Sequence, residues 1–210
     1  RPGWDKEVWI ARHRYGIPVG AFVFLSARGW AAGYQHHRVL EAFSRAVASC
    51  QGRAYLAFLG LPRNYKDDAL AYKQEMQEEA ERLGVVERVI WIQRATHDEM
   101  PVIYGLADAV VNFPKHDAFP ATMQEALACE RPVISADLPT YHDTPLRDHL
   151  TLVPPDDLDA LAEAMSTATW EPVQQRQARM RAARETMKEH YEERESAHRL
   201  LELYRALVPN

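Results

Sequence analysis

Six short apolar runs, alternating with helix-length segments, constrain this 210-residue chain more than any other feature. They are Ala21–Ser26, Ala54–Leu59, Val89–Ile92, Ala109–Phe113, Pro132–Ser135 and Leu150–Val153. Runs this short, rich in Val, Ile, Leu and Phe, read as strands buried on both faces by covering helices. The segments between them carry helical periodicity. About His36–Cys50 places Val39, Leu40, Phe43, Ala46 and Val47 at three- and four-residue steps, and about Asp67–Leu83 offers Leu70, Tyr72, Met76 and Ala80. Met100–Ala107 follows, opened by Pro101, and Asp156 is placed to cap a helix running to about Ala168. This alternation predicts an α/β domain built on one doubly wound parallel sheet. No internal repeat interrupts it.

Composition narrows the class. Hydrophobic residues at 47% and charged residues at 26% suit a soluble globular domain. A net charge of −5 argues against a general nucleic-acid binder, which carries a basic excess. Cys50 and Cys129 cannot form a disulfide framework and read as reduced helix residues, which predicts a cytoplasmic protein. No run approaches the ~20 apolar residues of a membrane span, and no signal peptide precedes the first strand. A peripheral membrane contact stays open. The G-x-G-x-x-G, P-loop and G-x-S-x-G fingerprints are missing, which removes three common α/β chemistries. His116-Asp117 and His142-Asp143 are the nearest approach to a metal-ligand set, and no metal is expected.

The chemistry concentrates between Ala109 and Asp143. A strand runs into the loop around Asp117, the loop ends at Pro120, and Ala121–Cys129 reads as a helix before the next strand. Pro120 suits the first helical position, where its missing N–H is no loss. Free N–H groups and the helix dipole there favour an anion. Asp117 before the helix and Glu125 within it add hydrogen-bond acceptors. Phosphate-binding backbone beside hydroxyl-binding carboxylates suits a nucleotide sugar. Each residue alone also has an ordinary reading: Glu125 complements a dipole, Asp117 is a loop acid, Phe119 is core.

The stretch from Asp117 through Glu125 to Arg131-Pro132-Val133-Ile134 resembles the E-x7-E signature of retaining glycosyltransferases of family 4, in a variant with Asp first. The resemblance implies one half of the two-domain GT-B architecture, the Rossmann-like half that binds the donor, with no cofactor and a UDP-, GDP- or ADP-sugar as substrate. It implies that Glu125 holds the ribose hydroxyls, and that Asp117 with the backbone of Ala118, Phe119, Pro120, Ala121 and Thr122 orients the sugar. Arg28, just past the first strand, stands where the family places an Arg against the diphosphate. The family's common pattern has a Lys about five residues later; here Gly33, Tyr34 and Gln35 fill the region, with an aromatic at Tyr34 as in the Asp-first subset. Arg38 and Lys115 are the candidates to supply the missing cation. Gly60 at the second strand's end and Gln93, Arg94 and Ala95 after the third are placed, by position, near the nucleotide.

The resemblance also sets the expected domain plan. Residues 1–20, with the turn-like Pro2-Gly3-Trp4-Asp5, form an inter-domain lead-in, residues 21–170 the donor-binding domain, and residues 171–210 helices that cross back to an N-terminal domain outside this sequence. That domain would supply the acceptor, a glycan, lipid or small molecule. Two other readings remain: an inactive glycosyltransferase-like nucleotide-binding or interaction module, and a relative of nucleotide-sugar epimerases, which share the GT-B architecture.

Overall fold

A computed structural model describes residues 5–50, 52–60 and 67–207. The chain opens with helix α1 (Asp5–Arg14) where the sequence suggested only a lead-in. Its acids Asp5 and Glu7 sit in the first turn and Arg12, His13 and Arg14 in the last, matching the helix dipole at both ends. Residues 1–4, which hold most of the expected Pro2-Gly3-Trp4-Asp5 turn, lie outside the described residues.

Then follow β1 (Phe22–Ser26), α2 (His36–Ala46), β2 (Ala54–Leu59), α3 (Asp67–Arg82) and β3 (Val89–Ile92). After these come α4 (Met100–Leu106), β4 (Ala109–Asn112), α5 (Ala121–Ala128), β5 (Val133–Ala136) and the single turn α6 (Pro139–His142). The chain closes with β6 (Leu150–Val153), α7 (Leu158–Trp170), α8 (Val173–Tyr191) and α9 (Glu193–Leu207). All six predicted strands form, within a residue or so of their expected bounds. They make one parallel sheet in the order β3-β2-β1-β4-β5-β6.

Helices cover both faces, which is why the central strands read as uninterrupted apolar runs. On one face α2 packs against α3 and α7; on the other α1 packs on α4, and α5 on α8. The core runs through Val23, Phe24, Leu25, Leu56, Phe58, Val110, Val111 and Val133, all at most 1% exposed. Helix α3 buries Ala69, Met76 and Ala80, but Leu70, an expected core residue, is 57% exposed. Asp157, rather than Asp156, caps α7, its carboxylate accepting from Ala160 N–H at 2.9 Å. Cys50 lies in the turn after α2, not in the helix, and burial pushes its thiol pKa up.

The expected tail at 171–210 divides in two. Helix α8 is part of this domain, burying Met180, Ala183 and Met187 and joining the turn after α5 through Arg184–Glu130 at 2.9 Å. Helix α9 instead leaves Leu200, Leu201, Leu203, Tyr204 and Leu207 exposed. No described helix is long and apolar enough to cross a membrane.

The strand order places the site. From β1 the chain winds outward through β2 to β3, then returns to lay β4 on the other side of β1. The connections after β1 and β4 therefore leave in opposite directions and open a crevice at the carboxyl edge, the switch point where such sheets bind ligands.

Candidate functional site

Arg28 and Asp117 meet in this crevice, 89 residues apart in sequence. The loop after β1 delivers Arg28, and the loop after β4 delivers Asp117. Arg28 Nη2 lies 3.2 Å from Asp117 Oδ2 and 3.4 Å from Oδ1, with both side chains largely buried. Arg28 Nη1 donates to Thr122 Oγ1 at 3.3 Å, and the guanidinium lies over the Tyr34 ring, 4.0 Å from its centroid. Burial pushes the Asp117 carboxyl pKa up, and the Arg28 charge pulls against it. Asp117 Oδ2 is buried, and its contact with Arg28 Nη2 is an ion pair without hydrogen-bond alignment. Thr140 Oγ1 donates to the Asp117 carbonyl at 2.9 Å and braces the loop.

Pro120 is the N-cap of α5, one residue earlier than the helical position expected for it, with φ −75° and ψ 147°. The fixed φ of proline is compatible with both positions, so the sequence did not separate them. The Pro120 carbonyl accepts from Met123 and Gln124 N–H at 3.1 and 3.4 Å, and no side chain caps the helix. The amides of Ala121 and Thr122 thus precede the first intrahelical bond and head a dipole pointing toward the crevice. Ala118 and Ala121 are exposed, so no bulky side chain shields this backbone.

Glu125 sits one turn into α5, and its partner is a residue the sequence reading missed. Tyr104 of α4 donates its hydroxyl to Glu125 Oε2 at 2.8 Å and lies 3.2 Å from the Thr122 carbonyl. Tyr104 is 1% exposed; burial and the Glu125 charge push its pKa far up, so it stays a protonated donor. The available signal was that a buried tyrosine needs a partner for its hydroxyl. Phe119 forms a wall with Tyr141 and Tyr191, each ring centroid 5.9 Å away. Burial and the Asp117 charge push the Tyr141 pKa up to about 12. Beneath, Asn112 Nδ2 approaches Met123 Sδ at 3.0 Å and Tyr141 Oη at 3.4 Å.

His36 supports Arg28 from behind and was also missed. Its Nε2 lies 3.2 Å from the Arg28 carbonyl, which only accepts, so Nε2 carries the proton. The ring packs among Trp30, Phe58 and Tyr72, and burial lowers its pKa to about 4. Gln35, just before it, holds a left-handed backbone with φ 53°.

Not every expected site residue joins this group. Gly60 lies at the end of β2, where a Cβ would stand 2.2 Å from the Gln93 carbonyl oxygen. Its need for glycine is thus explained by the approach of β2 to β3. Arg94 is exposed past β3, and no contact among the described residues ties it to Arg28 or Asp117. Of the two substitute cations, Arg38 turns away, donating to the Asp156 carbonyl at 2.8 Å. Exposed Lys115 has its N–H bonded to the Gly33 carbonyl at 3.1 Å, beside the loop where the lysine is missing. His142 pairs with Asp137 at 2.6 Å, and no metal-holding group of His, Cys, Asp and Glu exists among the described residues. Two cavities, about 740 Å³ and about 310 Å³, lie elsewhere on the domain and include neither Arg28 nor Asp117 in their walls.

A glycosyltransferase from Rickettsia africae superposes with a TM-score of 0.83 at 17% identity, over 98% of this chain and 53% of its own. Sucrose-phosphate synthase from Thermosynechococcus elongatus gives 0.81 at 21%, over 94% and 48%. Anabaena HepE, solved in complex with UDP and glucose, gives 0.81 at 16%, over 96% and 53%. The chain thus spans about half the length of these neighbours, which establish its fold as that of one half of a GT-B enzyme. No curated protein matches it. The sequence profile of glycosyl transferases group 1 covers residues 7–186, from within α1 to near the end of α8, and the chain belongs to that family.

Proposed function

We propose that this chain is the donor-binding half of a retaining glycosyltransferase of the family-4 type, using a nucleotide-diphosphate sugar. The observation that carries the proposal is the convergence of Arg28, Asp117, Thr122 and the α5 N-terminus in one crevice, with Glu125 held one turn away. Arg28 and the helix amides bind the diphosphate and stabilise the charge that develops as the nucleotide leaves. Asp117 accepts from sugar hydroxyls, and its pairing with Arg28 fixes both groups before substrate arrives. Glu125, with one oxygen held by Tyr104, presents the other to the ribose hydroxyls. No metal takes part, and the acceptor enters through a second domain. HepE holds UDP and glucose on the same fold, which supports a UDP-sugar as the first donor to try.

The test is calorimetric titration of this domain with UDP, GDP and ADP, in wild type and Glu125→Ala. One nucleotide is expected to bind, at least about tenfold more weakly in the variant. In an enzyme containing both domains, Arg28→Ala is expected to lower turnover about 10²-fold or more with a smaller effect on donor affinity. Near-wild-type behaviour of both variants would overturn the assignment. A second reading, an inactive nucleotide-binding module, draws on one observation: Tyr34 covers Arg28 where the family's common pattern has a lysine. Sugar transfer by the two-domain protein would exclude it.

A further inference from the structure

Thr122 stands where the loop carrying Arg28 meets α5, and the direction of its hydroxyl proton follows from its partners. Arg28 Nη1 lies 3.3 Å from Thr122 Oγ1. A guanidinium has N–H donors and no acceptor, so Oγ1 accepts in this contact and its own proton points elsewhere.

A threonine inside a helix sends that proton to the carbonyl three or four residues back. Thr122 is the second residue of α5, so those carbonyls, of Phe119 and Ala118, belong to the loop before the helix. The Phe119 carbonyl accepts from Gln124 Nε2 at 3.3 Å. The Asp117 carboxylate is engaged by Arg28, at 3.2 and 3.4 Å. Among the described residues the Thr122 hydroxyl therefore accepts from Arg28 and donates to no acceptor.

The backbone of the same residue adds a second donor. The Pro120 carbonyl takes the N–H groups of Met123 and Gln124, which leaves the Thr122 N–H ahead of the first intrahelical bond. The Thr122 carbonyl lies 3.2 Å from Tyr104 Oη, which steadies the residue from below. Two donors thus sit together at the positive end of a helix dipole. Arg28 lies against Asp117, so its charge is partly cancelled before any ligand arrives. A diphosphate entering the crevice then depends on neutral donors more than it would beside a lone cation.

We propose that the Thr122 hydroxyl is a direct ligand of the donor's diphosphate, donating to a non-bridging phosphate oxygen while Arg28 holds the hydroxyl oxygen from the other side. The proposal rests on the donor-binding reading above, and it adds a side-chain contact to the backbone contact expected of this residue. The hydroxyl keeps its proton throughout. Its hydrogen bond strengthens as negative charge gathers on the departing nucleotide, which makes Thr122 part of the leaving-group site.

The experiment is calorimetric titration of the full chain with UDP, and with GDP and ADP in parallel. The proteins are wild type, Thr122→Val, Thr122→Ser, Arg28→Met and the double variant Arg28→Met with Thr122→Val. Valine matches threonine in shape and keeps the amide; serine keeps the hydroxyl. Thr122→Val is expected to bind the nucleotide about tenfold more weakly, and Thr122→Ser within about threefold of wild type. The loss is expected to persist when Thr122→Val is made in Arg28→Met, because a direct contact does not need the guanidinium. Equal binding by wild type and Thr122→Val overturns the proposal. A loss that vanishes in the Arg28→Met background overturns it too, since the hydroxyl then acts only by bracing Arg28. Glu125→Ala separates these failures from failure of the donor reading. Binding lost in Glu125→Ala and unchanged in Thr122→Val leaves that reading standing and removes the hydroxyl contact alone. An absence of binding by wild type to all three nucleotides overturns both.

Discussion

Tyr104 shows how a single hydroxyl sets the geometry of the proposed donor site. Removing it in Tyr104→Phe leaves Glu125 Oε2 without this buried donor while keeping the ring that packs α4 to α5. The expected outcome is a loss of about 1–2 kcal/mol in nucleotide affinity. That is roughly tenfold in Kd by calorimetry. Nucleotides lacking the ribose hydroxyls should be unaffected. His36 belongs to the same scale. Its burial, with smaller contributions from the His37 and Arg28 charges, depresses its pKa to about 4, against the opposing hydrogen bond to the Arg28 carbonyl. Between about pH 6.5 and 4 the unfolded chain binds a proton at this position and the folded chain does not, so stability falls as pH falls. The shift corresponds to about 3 kcal/mol, fully lost below pH 4. Denaturant unfolding across that range should show the slope in wild type and a flatter one in His36→Gln. Neither residue stood out in the sequence, because a helical Tyr and a helical His acquire meaning only from what they touch.

At the scale of elements, strands β2 and β3 are held close at their carboxyl ends. Gly60 N–H bonds the Ile92 carbonyl at 2.5 Å, and a Cβ on Gly60 would collide with backbone rather than with a side chain that could swing away. Gly60→Ala is therefore expected to destabilise the domain by about 3 kcal/mol. The loss should appear as a lower denaturant midpoint. An unchanged midpoint would mean that β3 yields at its end. The helix–loop–strand unit around α5 was legible in advance, since Pro120, Asp117 and Glu125 stand at fixed offsets from two apolar strands. Its exact start was not, because proline serves equally as cap and as first helical residue. Helix α1 escaped the reading for a different reason. Trp9, Ile10, Arg12 and His13 do not form a buried stripe, and its burial rests on partly covered residues such as Val8, seated over Gly105 of α4.

On the scale of the whole molecule, α8 and α9 part company. Ending the chain after Glu192 removes a helix whose large apolar residues, Leu200, Leu201, Leu203, Tyr204 and Leu207, are 46–68% exposed. The melting temperature should move by no more than about 2 °C. Ending it after Glu171 strips Met180, Ala183 and Met187 from α5 and should abolish cooperative unfolding. A large loss from the shorter deletion would show that α9 packs in solution. Six apolar runs and their spacing determined the parallel sheet by themselves, since burial on both faces writes itself into each strand as unbroken hydrophobicity. The offset from Asp117 to Glu125 likewise pointed to the crevice proposed here to bind the donor, because helix geometry converts local spacing into direction. What only the tertiary structure decided are the meetings across the chain: Arg28 with Asp117, Tyr104 with Glu125, and Arg12 and Arg176 with Asp108. Those contacts come from strand order and helix packing, which bring distant residues together at distances no local pattern encodes.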